Sequence, residues 1–343
     1  MKLASLRRGG RDGTLVVVSR DLTRCQPVPG IAATLQAALD DWNRLAPGLC
    51  EVALSLEAAH ARHAEPFDPR ACLAPLPRAY QWLDGSAYLN HVRLARRARG
   101  AALPDDLTRT PLMYQGGSDD LAPASSPLSA DPHWGLDFEA ELAVITGDVA
   151  AGTDPGAAVE AVRLLMLAND VSLRHLVPGE LARGFGFVQS KPSSSFSPVA
   201  VTPDELGSAW RDGRVHRVMR VDLNGLPVAR VPAGEPMHFS FGALIAHAAR
   251  TRRLGAGSII GSGTISMAQE ADGSDGTVGA GCCCLLERRL LEQLAQGSAT
   301  TDYLKPGDRL RIEMLDDAGH SIFGAIEQQV LPWTPADPAK GPR

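Results

Sequence analysis

Asp137-Phe138-Glu139-Ala140-Glu141-Leu142-Ala143-Val144-Ile145 sets three carboxylates on alternate positions ahead of an apolar run. In an extended strand alternate side chains share a face, about 7 Å apart, so Asp137, Glu139 and Glu141 are expected to point the same way. That face continues through Ala143 and Ile145, into a region where unpaired like charges are costly. Taken alone, the stretch also reads as an exposed edge strand with an acidic face. A second stretch changes the balance: Leu165-Met166-Leu167-Ala168-Asn169-Asp170-Val171-Ser172 is an apolar strand ending in Asn-Asp, with Arg174 four residues beyond the aspartate. By itself Asn-Asp also fits a strand-ending turn. Together, carboxylates at the ends of two buried strands suit a hard cation with oxygen ligands, Mg²⁺ or Mn²⁺.

Working outward, short strands divided by Gly, Pro and Asp are expected at 138–146, 165–172, 199–202, 217–223, 258–265 and 310–314, with helices at 155–163, 239–250 and 285–295. Upstream, 86–98 reads as a helix and 101–136 as a long irregular loop, a length that is often functional. The first segment opens with a β-branched strand at 13–19 and an amphipathic helix at 31–45. Pro66, Pro69, Pro75 and Pro77 then resist continued helix or sheet. The expected organisation is an N-terminal domain over 1–78, a β-rich α+β catalytic domain over 79–333, and a disordered tail over 334–343.

The 34 basic and 39 acidic residues are mixed along the chain, which leaves no extended basic surface for nucleic acid. One local exception is Arg93, Arg96, Arg97 and Arg99, which reads either as a solvated helix face or as a cradle for a carboxylate-bearing substrate. No apolar run approaches membrane-spanning length, and Met1 to Arg8 does not develop a signal-like stretch, so a cytoplasmic location without membrane contact is expected. Cys25, Cys50, Cys72, Cys282, Cys283 and Cys284 lack zinc-ribbon spacing and are expected to be reduced.

Glu139-Ala140-Glu141, Asn169-Asp170-Val171-Ser172-Leu173-Arg174, Gln189-Ser190-Lys191-Pro192 and Gly261-Ser262-Gly263-Thr264-Ile265-Ser266, with Asp84 to His91 upstream, occur in an order that resembles the fumarylacetoacetate hydrolase family. The resemblance covers roughly residues 80 to 333. It implies a mixed β-roll or sandwich catalytic domain, a smaller N-terminal domain, a homodimer and a Mg²⁺ or Mn²⁺ cofactor. It also implies cleavage of a carbon–carbon bond in a small acidic 1,3-dicarbonyl, of fumarylacetoacetate or acylpyruvate type, in aromatic catabolism. The alternative on the same scaffold is a lyase that decarboxylates oxaloacetate-like acids or hydrates 2-oxo-enoic acids.

By the same resemblance Asp84, Glu139, Glu141 and Asp170 are metal ligands, and His91 is the base that activates water. Histidine suits that task because its ordinary pKa is about 6.5. The short-chain branch of the family orients this histidine with a glutamate three residues later, but Leu94 stands there. The longer-chain branch uses a later glutamate, for which Glu287 is the nearest match and Glu270 the other candidate. Lys191 resembles the lysine that neutralises oxyanion charge. Tyr114, Arg174, Gly263 and Thr264 are expected substrate contacts. The family's glutamine three residues after Arg174 is Val177 here, with Gln189 as a substitute.

Overall fold

The computed structural model describes residues 1–98, 100–268 and 281–335. Glu270, Arg99 and most of the expected tail therefore lie outside the described residues. An eleven-stranded mixed sheet runs through the molecule, in the order Glu65–Pro66, Arg24–Pro27, Thr14–Val18, Lys2–Leu6, Ala200–Val201, Val162–Asn169, Ala140–Thr146, Ser258–Gly261, Gln81–Gly85, Met113–Gly116, with Ser195–Phe196 also on Val162–Asn169. Ser258–Gly261 and Gln81–Gly85 are parallel, and the other pairings are antiparallel. A four-stranded sheet, Leu226–Pro232, Val218–Leu223, Arg309–Met314, Ile326–Gln329, stands apart from it.

Strand alternation separates two apolar cores. Leu142 and Val144 enter one cluster with Leu165 and Leu167, while Ala143 and Ile145 enter the other with Leu164, Met166 and Ala168. Because both faces are covered, Ala140–Thr146 is buried at every position. The central location rules out the exposed edge-strand reading.

Several expectations need correction. The acidic strand breaks at Phe138 and Glu139: Leu136–Asp137 pairs separately with Ser172–Leu173, so Asp137 does not share a face with Glu141. The helix expected at 31–45 is two helices, Leu35–Asp40 capped by Thr34 and Trp42–Glu57, because Asp41 leaves helical geometry between them. The 101–136 stretch is not structureless, since Met113–Gly116 adds a strand beside Gln81–Gly85. Lys2–Leu6, for which no strand was expected, is a fully buried strand whose neighbours cover both of its edges. All six cysteines are free. No described helix is long and apolar enough to cross a membrane.

Candidate active site

Three strands converge their ends on one point. Asp84 lies at the end of Gln81–Gly85, in register with Gly261 on one side and Tyr114 on the other. Glu141 lies near the start of Ala140–Thr146, opposite Ala168, and Asp170 follows Val162–Asn169 directly. One carboxylate oxygen from each of Asp84, Glu141 and Asp170 lies within 4.8 Å of the others. Glycine at 261 makes room, because a Cβ there would come within 2.3 Å of Asp84 Oδ1. Gly263, at φ +73°, passes so close to the Gly85 carbonyl that no side chain fits.

The charges of this cluster are poorly compensated. Both carboxylate oxygens of Glu141 are buried and accept no hydrogen bond. Burial, followed by the charges of Asp84 and Asp170, pushes Glu141 well above the ordinary carboxylate range. Burial and the neighbouring Asp170 raise Asp84 to about 8. Asp84 accepts only the Gly263 N–H, at 2.9 Å, among the described residues. Asp170 is better held, by the Tyr114 hydroxyl at 2.7 Å, Ser194 Oγ at 2.7 Å and Lys191 Nζ at 2.5 Å. An all-oxygen set with an orphaned buried carboxylate fits a hard divalent cation, which would supply the missing positive charge.

Glu139, the fourth expected metal ligand, is not in this triad but shares the Lys191 ammonium with Asp170. Its two oxygens are taken by Arg174 Nη2 at 2.7 Å and Lys191 Nζ at 2.6 Å. Burial works against its charge, but these two cations outweigh it and hold its pKa below the ordinary range. Burial likewise opposes the Lys191 charge, and Asp170 and Glu139 overcome it, so the ammonium is fixed. Arg174 also donates through Nε to Asp137, at 2.8 Å.

Asp137 has a role that sequence reading missed. It accepts the N–H groups of Leu285 and Leu286, at 2.8 and 3.0 Å, and so caps the helix Leu285–Gln296. That helix carries Glu287 in its first turn and packs against Leu89–Ala98, which carries His91. His91 Nδ1 and Glu287 Oε1 are 2.8 Å apart, with the glutamate almost wholly enclosed. A histidine held through Nδ1 leaves Nε2 free for another partner. Asn90 Nδ2, bonded to Ser266 Oγ at 2.8 Å, fixes the same helix.

A cavity of about 360 Å³ joins these groups, with Asp84, His91, Glu139 and Lys191 in its wall. Of the expected substrate contacts, Tyr114, Arg174, Gly263 and Thr264 line it. Gly263 does not present its N–H to a ligand, since Asp84 takes that group. Gln189 is a correction: it is exposed and absent from the wall, on a loop whose backbone N–H groups are drawn to the Glu180 carboxylate. Arg96 lines the cavity, whereas Arg93 and Arg97 are exposed. Arg96 stands four residues after Val92, which is also in the wall, so the two share a helix face.

Comparison with known proteins gives a consistent picture. Residues 81–331 match the model of the fumarylacetoacetate (FAA) hydrolase C-terminal domain, and residues 1–78 match fumarylacetoacetase N-terminal domain 2. No curated protein matches the chain. Among solved structures, fumarylacetoacetate hydrolase from the psychrophile Exiguobacterium antarcticum is similar at 19% identity and a TM-score of 0.63, covering 97% of this chain and 100% of that one. Maleylpyruvate hydrolase from Sphingobium sp. SYK-6, solved with manganese(II) and pyruvate, is similar at 15% identity and a TM-score of 0.62, with the same coverage. A 2-hydroxyhepta-2,4-diene-1,7-dioate isomerase from Mycobacterium marinum aligns at 14% identity and a TM-score of 0.50, over 82% of this chain and 81% of that one. At these identities the three structures speak for the fold.

Proposed function

The chain belongs to the fumarylacetoacetate hydrolase family, and from that premise we propose that it is a divalent-metal-dependent hydrolase of a small acidic 1,3-dicarbonyl compound. The observation that carries the reading is the His91–Glu287 pair at 2.8 Å and a carboxylate triad whose Glu141 has no partner, with His91 and the triad's Asp84 lining the same cavity. A water-activating base and a carboxylate set suited to a divalent cation are the two components such a cleavage requires. In this proposal the reaction belongs to aromatic catabolism, and Mg²⁺ or Mn²⁺ is the cofactor.

A cation held by Asp84, Glu141 and Asp170 would supply Lewis acidity toward the oxygens of the dicarbonyl. Glu139 balances the charges of Arg174 and Lys191 at the edge of that site. His91 accepts at Nε2 a proton from the water that adds to the acyl carbon, while Glu287 holds Nδ1–H and offsets the imidazolium charge. As the carbon–carbon bond breaks, its electron pair moves to the departing fragment, whose enolate charge faces the Lys191 ammonium. The imidazolium returns its proton to the departing fragment, at the carbon that the broken bond left with the electron pair. Water has then given its hydroxyl to the acid and its hydrogen to the other product. Tyr114 and Thr264 position the substrate.

The test is a panel of fumarylacetoacetate, fumarylpyruvate, acetylpyruvate and oxaloacetate, assayed with and without added Mg²⁺ or Mn²⁺. Metal-dependent release of an acid and a second acid or ketone is expected. Decarboxylation of oxaloacetate with no cleavage of any acyl compound would replace the hydrolase by the lyase. The homodimer is part of the same proposal, and sedimentation of the purified chain tests it.

A further inference from the structure

Lys191 keeps its ammonium on Glu139 and Asp170, at 2.6 and 2.5 Å. A divalent cation at Asp170 would repel that ammonium and weaken the second contact, so the loaded site depends on the chain before Lys191 to hold the side chain in place. That chain first crosses an exposed loop. Gly184 and Gly186 sit at φ +75° and +102°, where other residues are strained, and Phe185 and Val188 between and beyond them are exposed. Ser190, next to Lys191, is then wholly buried.

One carboxylate governs that passage. Glu180, on the helix Val177–Arg183, accepts the Val188 and Gln189 N–H groups through Oε1, at 2.9 and 2.8 Å. Its Oε2 accepts the Ser190 N–H at 3.0 Å and the Ser190 hydroxyl as well. Three consecutive backbone donors on one carboxylate form an anion nest. Burial works against the Glu180 charge, but these donors outweigh it and lower its pKa to about 2, so the group stays ionised. Ser190 is also held from the other side, where its carbonyl accepts the Leu173 N–H at 2.8 Å. Leu173 precedes Arg174 and Ser190 precedes Lys191, so the two cations that hold Glu139 branch from one pinned junction. Glu180 itself does not line the cavity.

We infer that Glu180 is a positioning residue for the reaction: it touches no reacting atom, and its carboxylate fixes Ser190 so that Lys191 stays aimed at Asp170, Glu139 and the charge of the departing fragment. This rests on the hydrolase reading above for what Lys191 does, and on the loop geometry for how Lys191 is held.

A double-mutant cycle tests it. Glu180→Gln keeps the size, removes the charge and turns amide hydrogens toward backbone donors. It should lower kcat on the best substrate of the panel above by roughly 10- to 100-fold, the effect of a displaced group. In a Lys191→Met background the same change should lower kcat by less than about twofold, because the group it positions is gone. The cycle is read on kcat, since Phe187 on this loop lines the cavity and its movement alters KM. Equal losses in the two backgrounds overturn the inference and leave Glu180 a staple of the fold. A readout without turnover keeps the inference separate from the hydrolase reading. The chain has four lysines, Lys2, Lys191, Lys305 and Lys340, so acetylation by acetic anhydride can be followed at each by mass spectrometry. In the Mn²⁺-loaded protein Lys191 should be labelled about tenfold faster or more in Glu180→Gln than in the parent, while Lys305 is labelled alike in both. Ser190→Ala, which removes one donor and leaves Glu180 charged, should show the same change more weakly. Unchanged labelling of Lys191 in Glu180→Gln overturns the inference. If no compound of the panel is cleaved, the hydrolase reading fails, and the labelling alone decides whether Glu180 holds Lys191.

Discussion

Asp137 and Glu141 stand four residues apart, and both are at 0% exposure, but their surroundings differ completely. Asp137 receives two backbone N–H groups of a helix start and a guanidinium N–H. Glu141 receives nothing and faces Asp84 and Asp170. The chain spends its buried cations on Asp137, Glu139 and Asp170, and leaves Glu141 and Asp84 without one. A buried carboxylate with its partners in place is architecture. One without them marks where a positive charge from outside the chain belongs.

The largest effects should fall on the helix that Asp137 starts, because it delivers Glu287 to His91. His91→Ala and Glu287→Gln should each lower hydrolysis by roughly 10² to 10⁴. The two should be strongly non-additive, since they act as one unit. Single-turnover kinetics of the two variants and the double variant check this, and additive losses would separate the pair.

Next comes the clamp itself. Arg174→Met leaves Asp137 and Glu139 buried without their guanidinium partner, so it should destabilise the fold by about 3–5 kcal/mol. Urea unfolding measures the change. A loss below about 1 kcal/mol would show that Asp137 and Glu139 do not depend on Arg174.

A smaller, pH-dependent effect distinguishes the two regions in the metal-free protein. Asp84 is raised by burial and by Asp170 to about 8, against about 3.9 for a free aspartate. Between those values the folded chain holds a proton that the unfolded chain has lost. Stability from this group is therefore full below about pH 4 and is lost as pH rises toward about 8. Glu141 is raised too and adds with the same sign. Glu139 is lowered, so its contribution is lost only as pH falls below the ordinary carboxylate range, outside this window. The Tm of metal-free protein should therefore fall from about pH 5 to about pH 8, and saturating Mn²⁺ should flatten the slope. Scanning calorimetry across that range checks both.

Much of this was legible in the sequence, and the reasons are local. Alternation in Glu141, Ala143 and Ile145 marked the buried strand, and Asn169-Asp170 marked the end of its neighbour. The motif order identified the family. Sequence spacing could not show the break at Phe138 and Glu139, because the pairing of Leu136–Asp137 with Ser172–Leu173 is a tertiary choice. It could not show the partner of His91 either, since Glu287 is 196 residues away and meets it only through helix packing. Gln189 looked like a substitute for the missing glutamine from its position next to Lys191, but adjacent residues need not face the same way, and Glu180 holds that loop outward.

The central claim is that positive charge from outside the chain belongs at Glu141 and not at Asp137. Calorimetric titration of the metal-free protein with Mn²⁺ tests it on two variants. Glu141→Ala should abolish the binding heat while the fold survives, and Asp137→Asn should retain affinity within a few-fold of the parent. Unchanged affinity in Glu141→Ala would contradict the account.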